Sequence, residues 1–404
     1  MALIVQKYGG SSVADAEKIK NVARRVAQTR EKGNQVVVVV SAMGDTTDEL
    51  IKLAYQINDR PDERELDMLL STGEIISCTL LAMALEAMGY EAISLSGAQA
   101  GIRTDSSYSR ARIQRVDPER ITKELDKGNI VIVAGFQGIT DEMDVTTLGR
   151  GGSDTTAVAL AASLGAGVCQ IYTDVEGVFS ADPRLVPEAK KVSEIGYEEM
   201  LELATYGAKV MHPRAVELGE LFNVPILVAS SFTENPGTLI HGGVSMEVRN
   251  KVRGIAHDLD VAKITLVGIP DRPGTAAAIF EPLAKANISV DTIVQNASVN
   301  NITDLTFTIA KSQLKKAMDV VKPLARSIGA KDCASDAKLG KVSIIGTGMQ
   351  NTPGYAARMF GALSEHGINI QLITTSEIRI TCIIAEDKVK EAVRVLHRAF
   401  ELEG

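Results

Sequence analysis

Gln35-Val36-Val37-Val38-Val39-Val40-Ser41 decides the architecture of the first half of this chain. Five consecutive valines are β-branched and show no alternation of apolar and polar positions. A strand apolar on both faces belongs inside a sheet covered by helices on both sides. Further strand candidates are Leu3–Lys7, Glu91–Leu95, Ile130–Ala134, Val168–Thr173 and Pro225–Val228. Helix-forming stretches such as Ala14–Lys32, Arg64–Met88 and Asp154–Leu164 lie between them. The region therefore reads as an α/β layered domain with a mostly parallel sheet. In such sheets ligands lie beyond the carboxyl ends of the strands, in loops that lead into helices. Three loops fall there: Lys7-Tyr8-Gly9-Gly10-Ser11-Ser12, Ser41-Ala42-Met43-Gly44 and Leu148-Gly149-Arg150-Gly151-Gly152-Ser153-Asp154.

The third of these loops is the richest in chemistry. Its glycines let the backbone approach a ligand closely, and Arg150 adds a planar fork suited to a carboxylate or phosphate. Ser153 and Asp154 are expected at the N-cap, ahead of an Ala-rich helix whose positive end attracts anions. Lys7, beside Gly9-Gly10, suits a phosphate in the same way. Two such loops in one α/β domain suggest a nucleoside triphosphate and a second anionic substrate.

The rest of the chain narrows the alternatives. It has 404 residues, 45% hydrophobic and 23% charged, as expected of a globular protein of two or three domains. A net charge of −8 and the absence of a Lys/Arg block speak against nucleic acid. The four cysteines, Cys78, Cys169, Cys333 and Cys382, are scattered, so neither a disulfide framework nor a metal site is expected. The chain opens directly into a strand and shows no long apolar run, which leads to the expectation of a cytoplasmic protein without a membrane span. G-x-x-x-x-G-K-[ST], the protein-kinase H-R-D and D-F-G set, and a complete G-x-G-x-x-G are all missing. His212, in Met211-His212-Pro213, reads as a helix-end packing residue rather than a base.

After about residue 240 the pattern changes to an internal repeat. Pro273-Gly274 falls on Pro353-Gly354, and at the same offset Ile264, Phe280, Leu283, Ile288 and Ile293 meet Ile344, Phe360, Leu363, Ile368 and Ile373. Each copy reads strand, helix, strand, strand, helix, and wants one more strand. Lys331–Ala334 can supply it for the first copy, whereas the second copy ends too soon. Val252–His257 is the free candidate for the second. The expected product is one interlocked pair of βαββαβ units. The expected boundaries are 1–245, a linker at 246–262 contributing a strand to the second unit, then 263–338 and 339–404.

With these residues in view, the chain resembles the aspartokinases. Lys7-Tyr8-Gly9-Gly10-Ser11-Ser12-Val13, Val39-Val40-Ser41-Ala42-Met43-Gly44 and Ser71-Thr72-Gly73-Glu74 are similar to that family's signatures. So are Gly149-Arg150-Gly151-Gly152-Ser153-Asp154, Thr173-Asp174-Val175, Ala181-Asp182-Pro183-Arg184 and Lys209-Val210-Met211-His212-Pro213. The doubled C-terminal unit is similar to the family's tandem ACT domains. The resemblance spans essentially the whole chain.

The resemblance implies transfer of the γ-phosphoryl group of ATP, with Mg2+, to the side-chain carboxylate of L-aspartate. It implies Lys7 on the transferring phosphoryl oxygens, Gly9 and Gly10 donating N–H groups, and Asp154 orienting Lys7. It gives Arg150 the α-carboxylate of aspartate and Glu74 the α-ammonium, with Ser41, Thr47 and Ser153 completing the pocket. Thr173, Asp174, Phe179, Arg184 and Lys209 are implied at the nucleotide; Phe179-Ser180 stands where tyrosine and threonine are frequent. Asp271, Gly274, Gln295, Asn369 and Ile370 match positions that contact an amino-acid effector such as lysine or threonine. A homo-oligomer through the ACT domains, or an α2β2 assembly with a shorter chain starting near Met246, follows from the same likeness. Competing readings are a kinase of glutamate or N-acetylglutamate and a non-catalytic amino-acid-binding regulator.

Overall fold

The computed structural model describes residues 2–243, 252–296, 301–350 and 352–403. Met246 and the expected boundary between 245 and 246 lie outside the described residues. The chain divides into two compact units, one of Met1–Phe179 with Lys191–Val248, the other of Ser180–Lys190 with Arg249–Gly404. Residues 180–190, which the sequence reading assigns to the first domain, thus fold with the second unit.

The strands of the first unit are β1 (Leu3–Tyr8), β2 (Gln35–Val40), β3 (Ala92–Leu95), β4 (Ile102–Thr104), β5 (Ile113–Val116) and β6 (Ile130–Ala134). They continue with β7 (Gln137–Ile139), β8 (Val145–Thr147), β9 (Val168–Thr173), β10 (Glu194–Ile195), β11 (Ile226–Ser230) and β12 (Thr238–Ile240). Its helices are α1 (Ala16–Glu31), α2 (Thr46–Ile57), α3 (Glu63–Glu86), α4 (Glu119–Asp126), α5 (Gly152–Leu164), α6 (Tyr197–Thr205) and α7 (Pro213–Leu221). An eight-stranded sheet runs β10-β12-β11-β9-β1-β2-β6-β3 and is parallel except where β11 meets β12. Val36–Val40 are all buried, as a strand covered on both faces must be. Val36, Val38 and Val40 pack with α1 residues Ile19, Val22 and Val26 and with Leu81 and Leu85 of α3.

Two features were not expected. A separate four-stranded sheet, β5-β4-β7-β8, carries the chain up to the Gly149–Asp154 loop. Helix α3 is, by length and composition, apolar enough to cross a membrane, with a mean hydropathy of 1.7 over its most apolar stretch. Half of that stretch is buried inside the protein. Asp67 and Glu74 are among its buried residues, so α3 acts here as a core helix with polar work to do.

The second unit is built on one sheet. Its elements are β13 (Gly254–Pro270), α8 (Thr275–Lys285), β14 (Thr292–Gln295), β15 (Ile302–Ile309), α9 (Leu314–Ile328), β16 (Asp332–Ile345), α10 (Tyr355–Glu365), β17 (Leu372–Thr375), β18 (Arg379–Ala385) and α11 (Val389–Ala399). The strand order is β14-β15-β13-β16-β18-β17. Strands β13 and β16 are long and antiparallel, and each serves both copies. The start of β13 pairs with the end of β16 (Gly254↔Ile345, Asp258↔Lys341), and its second half with the start of β16 (Lys263↔Asp336, Val267↔Asp332). Residues 254–258 thus stand beside the second copy and Lys263–Val267 belong to the first. Each copy still keeps its own apolar cluster: Ile264, Leu266, Ile279, Leu283 and Phe307 in one, Val342, Ile344, Met359, Leu363 and Leu396 in the other.

Candidate active site

The parallel registers bring four strand ends together. Lys7 lies beside Val39 and Ile171, Tyr8 beside Val40 and Tyr172, and Val40 beside Ala134. The residues that follow emerge side by side and extend the ladders: Ser41 N–H donates to Tyr8 O (3.1 Å), Gly135 N–H to Val40 O (3.0 Å) and Gly9 N–H to Tyr172 O (3.2 Å). The last bond corrects the expectation for Gly9. Its N–H is engaged in the sheet and is no phosphate donor. A Cβ on Gly9 would lie in ordinary contact with Lys7 Nζ, at 3.5 Å. Gly10 meets the next loop, accepting from Gly44 N–H at 3.1 Å; a Cβ on Gly10 would fall 2.8 Å from Ala42 O. Only glycine lets these two loops run so close.

Lys7 reaches Asp154 at 2.6 Å, Nζ to Oδ1, with both side chains 11% exposed. Asp154 Oδ2 accepts from His212 N–H at 3.4 Å. The helix behind this pair begins earlier than the sequence suggested. Gly151, left-handed at φ 67°, is the N-cap of α5, and Ser153 and Asp154 lie within its first turn. A glycine that adopts this backbone turns the chain into the helix without a side-chain cap. The carboxylate then sits where the helix dipole favours it. A Cβ on Gly151 would collide with the His212 ring, 2.3 Å from Cγ. His212 itself caps α7, accepting from Arg214 N–H through its side chain. Gly151→Ala is therefore expected to cost at least about 2 kcal/mol from backbone strain and overpacking. Gly165 also has a positive φ but an open surround, so Gly165→Ala should cost about 1 kcal/mol. Urea denaturation of the two variants checks the contrast, and equal losses would mean the His212 contact is soft.

Three residues that support this loop escaped the sequence reading. Arg214 donates to Leu148 O (2.8 Å) and Ala111 O (3.0 Å), holding the loop's first residue. Buried Asp67 accepts from Thr147 N–H (2.8 Å), Thr147 Oγ1 (2.7 Å) and Ser109 N–H, fixing β8 against α3. Phe136, with φ 70°, is a third: it accepts from Leu148 N–H (2.8 Å) and donates to Thr156 Oγ1 (3.1 Å). Arg150 is exposed, beside this rigid frame. Ser153 is buried, near enough to Gly135 that a Cβ there would lie 2.8 Å from its Oγ.

Glu74 stands on α3, which packs tightly on the loop after β2. A Cβ added to Gly73 would come within 2.8 Å of Ala42 Cβ, and Ser77 Oγ donates to Ser41 O at 2.6 Å. Glu74 is buried; its Oε1 accepts from Ala42 N–H at 3.0 Å, while Oε2 has no hydrogen-bond partner. Burial pushes the carboxyl up to about 7. A buried acceptor without a donor is costly unless a ligand supplies one. Thr47 is half-buried in the first turn of α2, just beyond the same loop.

At the end of β9, Thr173 Oγ1 donates to Asp174 Oδ1 at 3.0 Å, and Asp174 is exposed. Phe179 is half-buried and bridged to Lys191, and Lys209 is exposed beyond α6. Arg184 is held by Asp182 (Nη2 to Oδ2, 2.8 Å), whose carboxyl this contact keeps below the usual range. Its segment belongs to the second unit.

In the second unit, Asp271 is exposed and its N–H donates to Asn301 O at 2.9 Å. The N-cap of α8 is left-handed Gly274, so Asp271 does not cap the helix. Gln295 is exposed as the last residue of β14. Asn369 and Ile370 precede β17; Asn369 is exposed and Ile370 packs on the core of the second copy.

The profile of the amino acid kinase family matches residues 2–230, and that of the ACT domain matches residues 264–323 and 342–400. An aspartokinase of Mycolicibacterium smegmatis is 51% identical over 100% of this chain and 97% of its own length. The crystal structure of E. coli aspartokinase III in complex with aspartate and ADP superposes with a TM-score of 0.80 at 26% identity, covering 99% of this chain and 100% of that one. The same enzyme in complex with lysine and aspartate gives a TM-score of 0.75 at 26% identity, over 98% and 99%.

Proposed function

The chain belongs to the aspartokinases of the amino acid kinase family, and from that premise we propose that it transfers the γ-phosphoryl group of ATP to the side-chain carboxylate of L-aspartate, giving 4-phospho-L-aspartate and ADP. The observation that carries the proposal is the buried Lys7–Asp154 pair at the carboxyl edge of the central strand. The nucleophile, a carboxylate with a reference pKa of about 4, is already ionised near neutrality and needs no general base. What the reaction needs is a fixed positive charge where an anionic nucleophile meets an anionic phosphate. Lys7 supplies that charge, and Asp154 sets the direction of its ammonium so that its remaining protons face the transferring oxygens. Arg150 takes the α-carboxylate of aspartate and Glu74 Oε2 its α-ammonium; Ser41, Thr47 and Ser153 complete the pocket. Thr173, Asp174, Phe179 and Lys209 form the nucleotide side within the first unit.

Among the described residues no three His, Cys, Asp or Glu side chains converge. Mg2+ is carried on phosphate oxygens and water rather than in a protein cage, as is usual for this ion at a nucleotide. Such an ion supplies charge neutralisation on the phosphates. The acyl phosphate is the first intermediate of lysine, threonine and methionine synthesis, and the tandem ACT units make feedback by lysine, threonine or both part of the proposal. The lysine complex of the E. coli relative supports it. An assembly through the ACT units and a cytoplasmic setting complete the reading.

Trapping the product with hydroxylamine, with lysine and threonine added singly and together, tests the proposal. Aspartyl hydroxamate must form; hydroxamate from glutamate alone would reverse the substrate, and indifference to both effectors would end the feedback reading. Arg150→Ala is expected to raise KM for aspartate about a hundredfold, the loss of a charge-assisted fork, with KM for ATP little changed. A change confined to ATP would make the loop a nucleotide cradle.

A further inference from the structure

Residues 180–190 leave the first unit after Phe179, return to it at Lys191, and fold with the second unit. The segment leaves between Phe179 and Lys191, which face each other across an antiparallel bridge, with Val192 N–H donating to Val178 O at 2.8 Å. Just past the bridge, Ser180 N–H donates to Lys190 O at 2.8 Å and closes the neck. Beyond that neck the segment belongs to the second unit. Ala181 and Val186 are buried in one cluster with Met359 and Leu363 of α10 and Val393 and Leu396 of α11. Ile255 N–H donates to Ser180 O and Arg394 Nε to Leu185 O, both at 2.8 Å.

One contact in this packing is unlike the rest. His397 of α11 is 0% exposed and lies 2.9 Å from Ser180 Oγ through Nε2. Ser180 Oγ already accepts from Lys190 N–H at 2.9 Å, which leaves its own proton free to donate to His397 Nε2. Nδ1 of His397 is buried and has no hydrogen-bond partner. A purely apolar contact would pack this site without leaving a ring nitrogen unpaired. The polar link therefore calls for a role that packing does not supply.

We propose that His397 is a positioning residue for ATP: through Ser180 it fixes the backbone at Phe179, so that the affinity for nucleotide depends on where α11 sits in the second ACT unit. The route is short, one side-chain hydrogen bond and one peptide bond. Any effector that shifts α11 then reaches the nucleotide side through the chain itself. The proposal rests on the assignment of Phe179 to the nucleotide side.

The test uses the full-length enzyme, the four single variants His397→Leu, Ser180→Ala, Ser180→Thr and Phe179→Ala, and the double variant of the first two. KM for ATP, KM for aspartate, kcat and the calorimetric Kd for ADP are read for each. His397→Leu and Ser180→Ala should each weaken ADP and raise KM for ATP about tenfold, with KM for aspartate within twofold. The double variant should be no weaker than either single one, because both break the same link. Ser180→Thr keeps the hydroxyl and should restore ATP affinity. Equal movement of both KM values, or unchanged ADP affinity in folded Ser180→Ala and His397→Leu, would overturn the link. Phe179→Ala separates the two ideas: if it alone weakens ADP, the nucleotide assignment stands and the link falls; if it leaves ADP binding unchanged, the assignment itself falls.

Discussion

Lys7→Met should lower kcat by about three orders of magnitude, with KM for aspartate changed by no more than a few fold. Removing one preorganised charge from a developing anion costs about a hundred- to a thousandfold in comparable sites. Lys7 is buried, so its charge acts in a medium that screens it far less than water does. In the proposed role the charge is matched to the transferring phosphoryl oxygens rather than to the amino acid, so the loss falls on kcat. Removing the lysine also strands the Asp154 carboxylate, which is worth several kcal/mol of destabilisation in a buried pair. Lys7→Met with Asp154→Asn relieves that penalty, and the double variant should recover thermal stability while remaining as slow as Lys7→Met. Activity within tenfold of the wild type in either protein would remove Lys7 from the phosphoryl group.

The second large effect concerns Glu74, and it has opposite signs for activity and stability. Burial disfavours the charge and pushes its carboxyl up to about 7, against an ordinary value of 4.5. A folded-state value above the unfolded one gives stability that is fully present below about pH 4.5 and lost as pH rises through about 7. By pH 8 that loss amounts to about 3 kcal/mol at most. Glu74→Gln keeps the acceptor for Ala42 N–H and carries no charge, so it should raise the melting temperature of the substrate-free enzyme at pH 8 and leave it nearly unchanged at pH 5. The same substitution should raise KM for aspartate about a hundredfold at pH 8, since a charged partner for the ammonium is lost. In the wild type, KM for aspartate should climb as pH falls below 7, because protonated Glu74 must first give up its proton. The variant should show no such climb. A pH-independent KM in the wild type, or a variant that binds aspartate normally at pH 8, would reassign the residue.

Much of this was legible in the sequence, and the physical reasons differ from place to place. Val36–Val40 announced a central parallel strand because burial on both faces erases alternation. The repeat after residue 240 was visible because two copies must fill two equivalent cores, and helices α8 and α10 begin after equivalent left-handed glycines, Gly274 and Gly354. The strands β4, β5, β7 and β8 have three or four residues each, too few for a period to register. Lys7, Glu74, Arg150 and Asp154 could be named from motifs, but the supports of their loop could not. Asp67 meets Thr147 and Arg214 meets Ala111 across long stretches of chain, and no local pattern records such a pairing. Gly9 was misread for a related reason: a Gly-Gly turn looks the same whether its N–H faces a phosphate or the carbonyl of Tyr172.

The long pair β13 and β16 has a consequence for inheritance. The two copies repeat along the chain, yet each strand runs through both, so no cut between them leaves either copy with its own sheet edge intact. A gene truncated within this region would encode a chain with an unpaired, aggregation-prone strand rather than a smaller domain. Recombination can therefore move the pair between proteins only whole, beginning ahead of Gly254. The copies are free to diverge in sequence, but not to part.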